Sequence, residues 1–244
     1  MLKNCKVTIV GKYPPIQGGV SSSVFWTAHE LARGRFDVQI VTNAEEVEGG
    51  FRTVLEKPHS AKCLPLNGTV KVHATAPLKR GSYIPWSNPF ASKLLGLTLE
   101  AAREQNSDVL VGWYFEPYGI VAALAGLILN KPVVLRHAGS DLGRLSLHPD
   151  LKFAYSWMLK SATHVLTSPG LDGMLHDLGA SKDKIRFIGA PRIPELFAKP
   201  DGPLDVNYYA NAFEEWASHT EIPKDLTEAV QANNRKCFDL GHPV

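Results

Sequence analysis

Val7-Thr8-Ile9-Val10-Gly11-Lys12-Tyr13-Pro14-Pro15-Ile16-Gln17-Gly18-Gly19-Val20 is the stretch whose reading decides the fold. Val7 to Val10 is a short, almost wholly apolar run of β-formers, the kind buried on both faces of a parallel sheet. Turn formers follow to Gly19. A helix then starts near Val20, with Val20, Val24, Thr27 and Leu31 at helical spacing and Gly34 at its end. Asp37 to Thr42 reads as the next strand. Strand, loop, helix, strand is a βαβ unit.

Outward from there the alternation continues. Strands are expected at Val70–Ala74, Val109–Val111, Pro132–Leu135, His164–Thr167 and Lys184–Ile188. Helices are expected from Asn88-Pro89 to Gln105, from Pro117 to Leu129, from His148 to Ala162 and from Leu171 to Leu178. This predicts a Rossmann-like α/β fold: a parallel sheet with helices on both faces and a ligand edge at the carboxyl ends of the strands. The domain is expected to span residues 1–198. The pattern changes after about residue 190, where Pro191, Pro194, Pro200 and Pro203 break up a linker-like stretch. A helical tail over 199–244 follows, with Val206, Tyr209, Phe213 and Trp216 on one face after Asp205, and a weaker helix from Pro223 to Asn233.

Composition narrows the class. With 44% hydrophobic and 20% charged residues, the 244-residue chain reads as globular rather than disordered. A net charge of +2 without a dense Lys/Arg run gives no reason to expect nucleic acid. The three cysteines, Cys5, Cys63 and Cys237, are far apart and form no Cys-x-x-Cys pair, which argues against a disulfide framework or zinc. Met1 to Val7 has no signal-peptide core, and the apolar run from Gly119 to Leu129 is well short of the roughly 20 residues that span a bilayer. The expectation is a reduced cytoplasmic setting with at most peripheral membrane contact, through Lys152, Phe153, Trp157 and Lys160, residues that a solvated or domain-facing surface explains equally well.

Four constellations are candidates for chemistry. Gly18-Gly19, with Ser21, Ser22 and Ser23 behind, offers an open helix N-terminus to an anion, or is simply a strand-to-helix turn. It lacks the Gly-x-Gly-x-x-Gly of dinucleotide folds and the Gly-Lys-Ser/Thr of a nucleotide-hydrolase loop. Arg136-His137-Ala138-Gly139-Ser140-Asp141 places an imidazole, a carboxylate and a flexible glycine at a strand end, suited to binding or acid–base work. A structural histidine and a helix-capping aspartate are the plainer reading. In Gly112 to Gly119, Tyr114 and Glu116 fit a sugar site, while Trp113 and Phe115 fit the core. Ser168 in Thr167-Ser168-Pro169-Gly170 reads first as a cap and second as a ligand contact. None of the nine histidines has metal-site spacing, no Gly-x-Ser-x-Gly elbow occurs, and no metal is expected.

Together these pieces resemble the N-terminal domain of GT-B fold glycosyltransferases of the retaining family 4 type. The resemblance covers about residues 5 to 200. It rests on the Tyr13–Val20 loop, the helix to Gly34 with the strand after Asp37-Val38, His137-Ala138-Gly139-Ser140-Asp141, and Val165-Leu166-Thr167-Ser168 followed by Ile185 to Gly189. It implies an acceptor-side half of a hexosyltransferase, with a nucleotide-diphosphate sugar as co-substrate and no other cofactor. Gly18 and Gly19 would approach the donor diphosphate or transferred sugar, and His137 would sit at the reaction centre. Asp141 would support that histidine or an acceptor hydroxyl, and Tyr114, Glu116, Arg136 and Ser168 would meet a sugar or lipid-linked acceptor. The loop from Glu45 to Gly68 and the segment from Pro85 to Phe90 would shape the acceptor pocket.

Two departures stand out. Gly189-Ala190-Pro191-Arg192-Ile193 replaces the family's Asn-Gly-Val-Asp type segment. The donor-binding C-terminal domain with its Glu-x7-Glu motif has no counterpart; the lookalike at Glu116 has Leu124 where the second Glu belongs. The expectation is a truncated or split enzyme that needs a C-terminal donor-binding domain or partner subunit. The alternative is a non-catalytic sugar or phospho-sugar binding module. A sugar-nucleotide epimerase ranks third.

Overall fold

The computed structural model describes residues 4–47, 49–52, 67–76 and 89–189. The expected linker and helical tail, Asn88, and most of the 45–68 and 85–90 segments lie outside the described residues.

Seven strands form one parallel sheet in the order β3-β2-β1-β4-β5-β6-β7. They are β1 (Cys5–Gly11), β2 (Phe36–Thr42), β3 (Thr69–Ala74), β4 (Val109–Trp113), β5 (Val133–Arg136), β6 (His164–Thr167) and β7 (Ile185–Phe187). The order reverses between β1 and β4, which creates the crevice where ligands of such sheets bind. Register keeps the carboxyl edge flush. Gly11 stands beside Trp113, Trp113 beside Arg136, and Arg136 beside Leu166.

Helices cover the faces according to the crossover direction. The helix α1 (Gly19–Arg33), which connects β1 to β2, packs on one face. Its buried stripe is Ser21, Val24, Ala28 and Ala32. Of the expected apolar stripe only Val24 is fully buried; Val20, Thr27 and Leu31 flank it. Small residues make the stripe because a helix lying on Val7, Ile9, Val38 and Ile40 needs short side chains at the contact.

The other face carries α2 (Phe90–Gln105), α3 (Ile120–Leu129), α5 (Pro149–Ser161) and α6 (Asp172–Asp177), after a short turn of helix α4 (Ser140–Gly143) that follows β5. Together with the inward residues of β4, β5, β6 and β7 they form the larger core, which includes Leu94, Leu110, Leu135, Tyr155, Met158 and Val165. The expected Pro117–Leu129 helix is divided: Phe115–Gly119 forms a wide helical turn with Glu116 in extended backbone, and α3 starts at Ile120. α3 is buried through Val121, Ala122, Ala125 and Gly126, yet leaves Leu127 and Ile128 exposed. On α5, Phe153 is 83% exposed, while Trp157 packs against the core. The candidate membrane-facing set is therefore reduced to Lys152, Phe153 and Lys160. No helix among the described residues is long and apolar enough to cross a membrane.

Candidate functional site

Three loops leave the flush carboxyl edge around the β1/β4 crevice. The loop after β1 is pinned, with Tyr13 and Ile16 buried and the Gln17 N–H donating to the Phe51 carbonyl at 2.8 Å. Gly18 emerges exposed with φ of 121°, a conformation that favours glycine. A Cβ at Gly18 or Gly19 would meet nothing within 4 Å, so the space in front of them is open. No side chain caps α1, and its first N–H groups are available to an anion.

The loop after β4 helps to build a recess. A cavity of about 530 Å³ is lined by Lys12, Asn43, Phe90, Tyr114, Glu116 and Tyr118, with Pro89, Ala91, Ser92 and Pro117 completing the wall. Tyr114 takes a left-handed φ of 81°, held by its N–H to the Arg136 carbonyl at 2.8 Å and its hydroxyl on Ser140 at 3.0 Å. Lys12 Nζ sits 4.8 Å from the centre of the Tyr114 ring. The Tyr118 hydroxyl donates to Asn43 Oδ1. Burial raises the pKa of the Glu116 carboxyl.

His137 and Asp141 lie behind this cavity and do not line it. His137 is 7% exposed. Its Nδ1 accepts the Gly139 N–H at 3.3 Å, so Nε2 carries the proton and donates to Thr167 Oγ1 at 2.7 Å. Burial lowers its pKa, Asp141 raises it and Arg136 lowers it further. The ring is thus held neutral. Asp141 is wholly buried and accepts three backbone N–H groups: Phe115 at 2.8 Å, Ala138 at 2.9 Å and Leu142 at 3.0 Å. Of the two roles expected for Asp141, support of His137 or of an acceptor hydroxyl, the first reaches the imidazole through charge alone. The carboxylate ties the β4 loop to the β5 loop and makes no hydrogen bond to the imidazole.

Arg136 and Ser168 also differ from expectation. Side chains alternate along β5, so Arg136 points to the α1 face, away from Tyr114 and Glu116. Its guanidinium stacks 4.9 Å from the Trp113 ring and lines a separate cavity of about 320 Å³ with Leu31, Phe36 and Leu166. One of its terminal nitrogens is buried without a hydrogen-bond partner. Ser168 is exposed at the end of β6 and caps nothing; α6 starts later and has no side-chain cap. Trp113 and Phe115 are buried.

Sequence reasoning passed over Lys12, Asn43, Tyr118 and Thr167. Lys12 and Asn43 carried a usable signal, since each is polar and follows directly on a strand. Beneath the cavity, Glu46 pairs with Lys93 of α2 and accepts the Thr75 hydroxyl, fixing the α2 end against the sheet. No group of three or more His, Cys, Asp or Glu able to hold a metal ion occurs among the described residues.

No family model and no curated protein matches the chain. Solved structures match its fold. HepE from Anabaena in complex with UDP and glucose superposes with a TM-score of 0.54 at 15% identity, covering 86% of this chain and 50% of that one. A glycosyltransferase from Rickettsia africae gives 0.54 at 17% identity over 91% and 52%. The S. aureus MnaA–UDP co-structure gives 0.53 at 14% identity over 85% and 51%. The chain thus shares its fold with these structures and spans about half their length.

Proposed function

We propose that this chain is the acceptor-side half of a GT-B glycosyltransferase of the retaining family 4 type, moving a hexosyl group from a nucleotide-diphosphate sugar to a sugar or lipid-linked acceptor. One observation carries the reading. The open, uncapped start of α1 behind Gly18 and the aromatic, carboxylate-bearing cavity beside Tyr114 share one edge at the β1/β4 crevice. A fold neighbour, HepE, was solved with UDP and glucose.

In this reading Gly18 and Gly19 admit the donor diphosphate or transferred sugar to the N–H groups of α1. Those groups are part of what stabilises charge on the leaving diphosphate. A second, donor-binding domain or partner subunit supplies the rest, which the half-length coverage of the fold neighbours supports. His137 meets the transferred sugar by exchanging Thr167 for a sugar hydroxyl. Asp141 acts through the backbone, holding the two loops in register. Ser168 borders the acceptor path. The setting is cytoplasmic, with peripheral membrane contact through the Phe153 surface for a lipid-linked acceptor.

Incubation of the purified chain with radiolabelled UDP- or GDP-hexoses and an acceptor panel tests this. Transfer is expected to be negligible alone and to appear on mixing with a donor-binding GT-B half. Full turnover by the chain alone, or none with any such partner, sinks it. The complete internal hydrogen bonding of His137 and Asp141 favours a second reading, a non-catalytic sugar or phospho-sugar binding module. That module would bind acceptor sugars without nucleotide sugar and would never gain activity.

A further inference from the structure

We propose that the cavity beside β4 seats the acceptor as a neutral hydroxylated ring, with Glu116 accepting a hydrogen bond from the hydroxyl to be glycosylated and Asn43 donating to its neighbours. The inference rests on the reading of the chain as an acceptor-side half and names the acceptor's chemistry. Three observations carry it.

Both other candidates for holding that hydroxyl are already satisfied. Each nitrogen of His137 has a partner, and Asp141 is wholly buried with three backbone N–H groups donating to it. Glu116 is the carboxylate that lines the cavity, and no hydrogen bond from a described residue reaches it. The Tyr118 hydroxyl donates to the Asn43 oxygen and orients the amide, whose two N–H donors remain to be offered to a ligand.

The walls are aromatic, and the charges of the described lining residues balance. Phe90, Tyr114 and Tyr118 present ring surfaces. Among the described residues the lining holds one lysine, Lys12, which lies against the Tyr114 ring, and one carboxylate, Glu116. An uncharged ring with one apolar face and a rim of hydroxyls satisfies these groups together, and the volume falls within the range of small-ligand sites. A phosphorylated ring would bring its charge against Glu116.

Other ionisable groups near Glu116 are Lys12, Tyr114 and Tyr118 in the flanking loops, Asp141 of α4, and Tyr155 of α5. The Tyr155 hydroxyl is buried without a partner, and the Glu116 charge raises its pKa further. Burial likewise raises the Glu116 pKa. Acidification through that raised value neutralises the carboxylate and weakens it as a hydrogen-bond acceptor.

Saturation-transfer NMR on the 244-residue chain tests this, with methyl gluco- and galactopyranosides as probes and glucose 1-phosphate as the charged counterpart. Neutral glycosides are expected to take up saturation at neutral pH and to lose affinity on acidification. Glu116→Gln should bind about tenfold weaker and lose the pH slope, and Asn43→Ala should also weaken binding. Circular dichroism melts check that both variants fold. Should either fail, the pH titration of the unaltered chain decides. Absence of transfer to every neutral glycoside, transfer to glucose 1-phosphate alone, or unchanged binding by folded Glu116→Gln overturns the proposal. The labelled-sugar assay with a donor-binding half judges the parent reading separately.

Discussion

Asp141 ties two loops of the candidate site together without lining its cavity. Its carboxylate collects N–H groups from the β4 loop, which lines the cavity, and from the β5 loop, which does not. Asp141→Asn keeps the shape but replaces one acceptor oxygen with a donor, which must face a backbone N–H in a dry interior. A stability loss of about 3 kcal/mol is expected, read as a lowered midpoint in urea denaturation. A loss within error would mean that the three bonds are replaceable by water. The histidine beside it was legible as a special residue, because a His, a flexible glycine and a carboxylate at a strand end are seldom idle. Its partner was not legible. Adjacency in sequence paired His137 with Asp141, whereas the fold pairs it with Thr167, 30 residues away.

Between elements, close packing decides what the site can be. β4 and the turn that carries Glu116 approach so nearly that a Cβ on Gly112 would stand 2.7 Å from the Gly119 Cα and 3.0 Å from the Ala122 Cβ. Backbone on one side cannot swing away as a side-chain tip would. Gly112→Ala is expected to cost about 1–3 kcal/mol of overpacking and to displace the Glu116 turn, measured as a lowered denaturation midpoint together with weaker glycoside binding. Wild-type stability and binding in the variant would disprove the close contact. The strands were legible to within a residue or two, since continuous β-branched runs have few other destinations. The helix stripes were less so. On α1 the contact is made by Ser21, Ala28 and Ala32, small residues that a search for large apolar spacing passes over.

At the scale of the whole molecule the question is what the crevice takes. A binding module and an acceptor-side half both gain stability from a sugar acceptor, by about 2.7 kcal/mol at a hundredfold excess over Kd. They part on the addition of a donor-binding half and nucleotide sugar. For the half-enzyme reading, consumption of the acceptor should follow; for the module, the acceptor should remain bound and unchanged. Thermal shift followed by product analysis of the same sample distinguishes them. The expected class of fold is present as a seven-stranded parallel sheet with helices on both faces, and the structures that share it are about twice as long.

The sequence by itself determined the alternation of buried strands and helices, the parallel sheet that follows from it, and the three loops where polar residues gather at strand ends. These are local properties, set by periodicity, glycine and β-branching within a few residues of each other. Only the tertiary structure decided which side chains share a cavity. It turned Arg136 to the α1 face, closed His137 and Asp141 into internal hydrogen bonds, and brought Asn43 and Lys12 to Glu116. Those outcomes depend on strand order and register, which bring residues 43 and 116 to one cavity across β1. No local pattern along the chain encodes that neighbourhood.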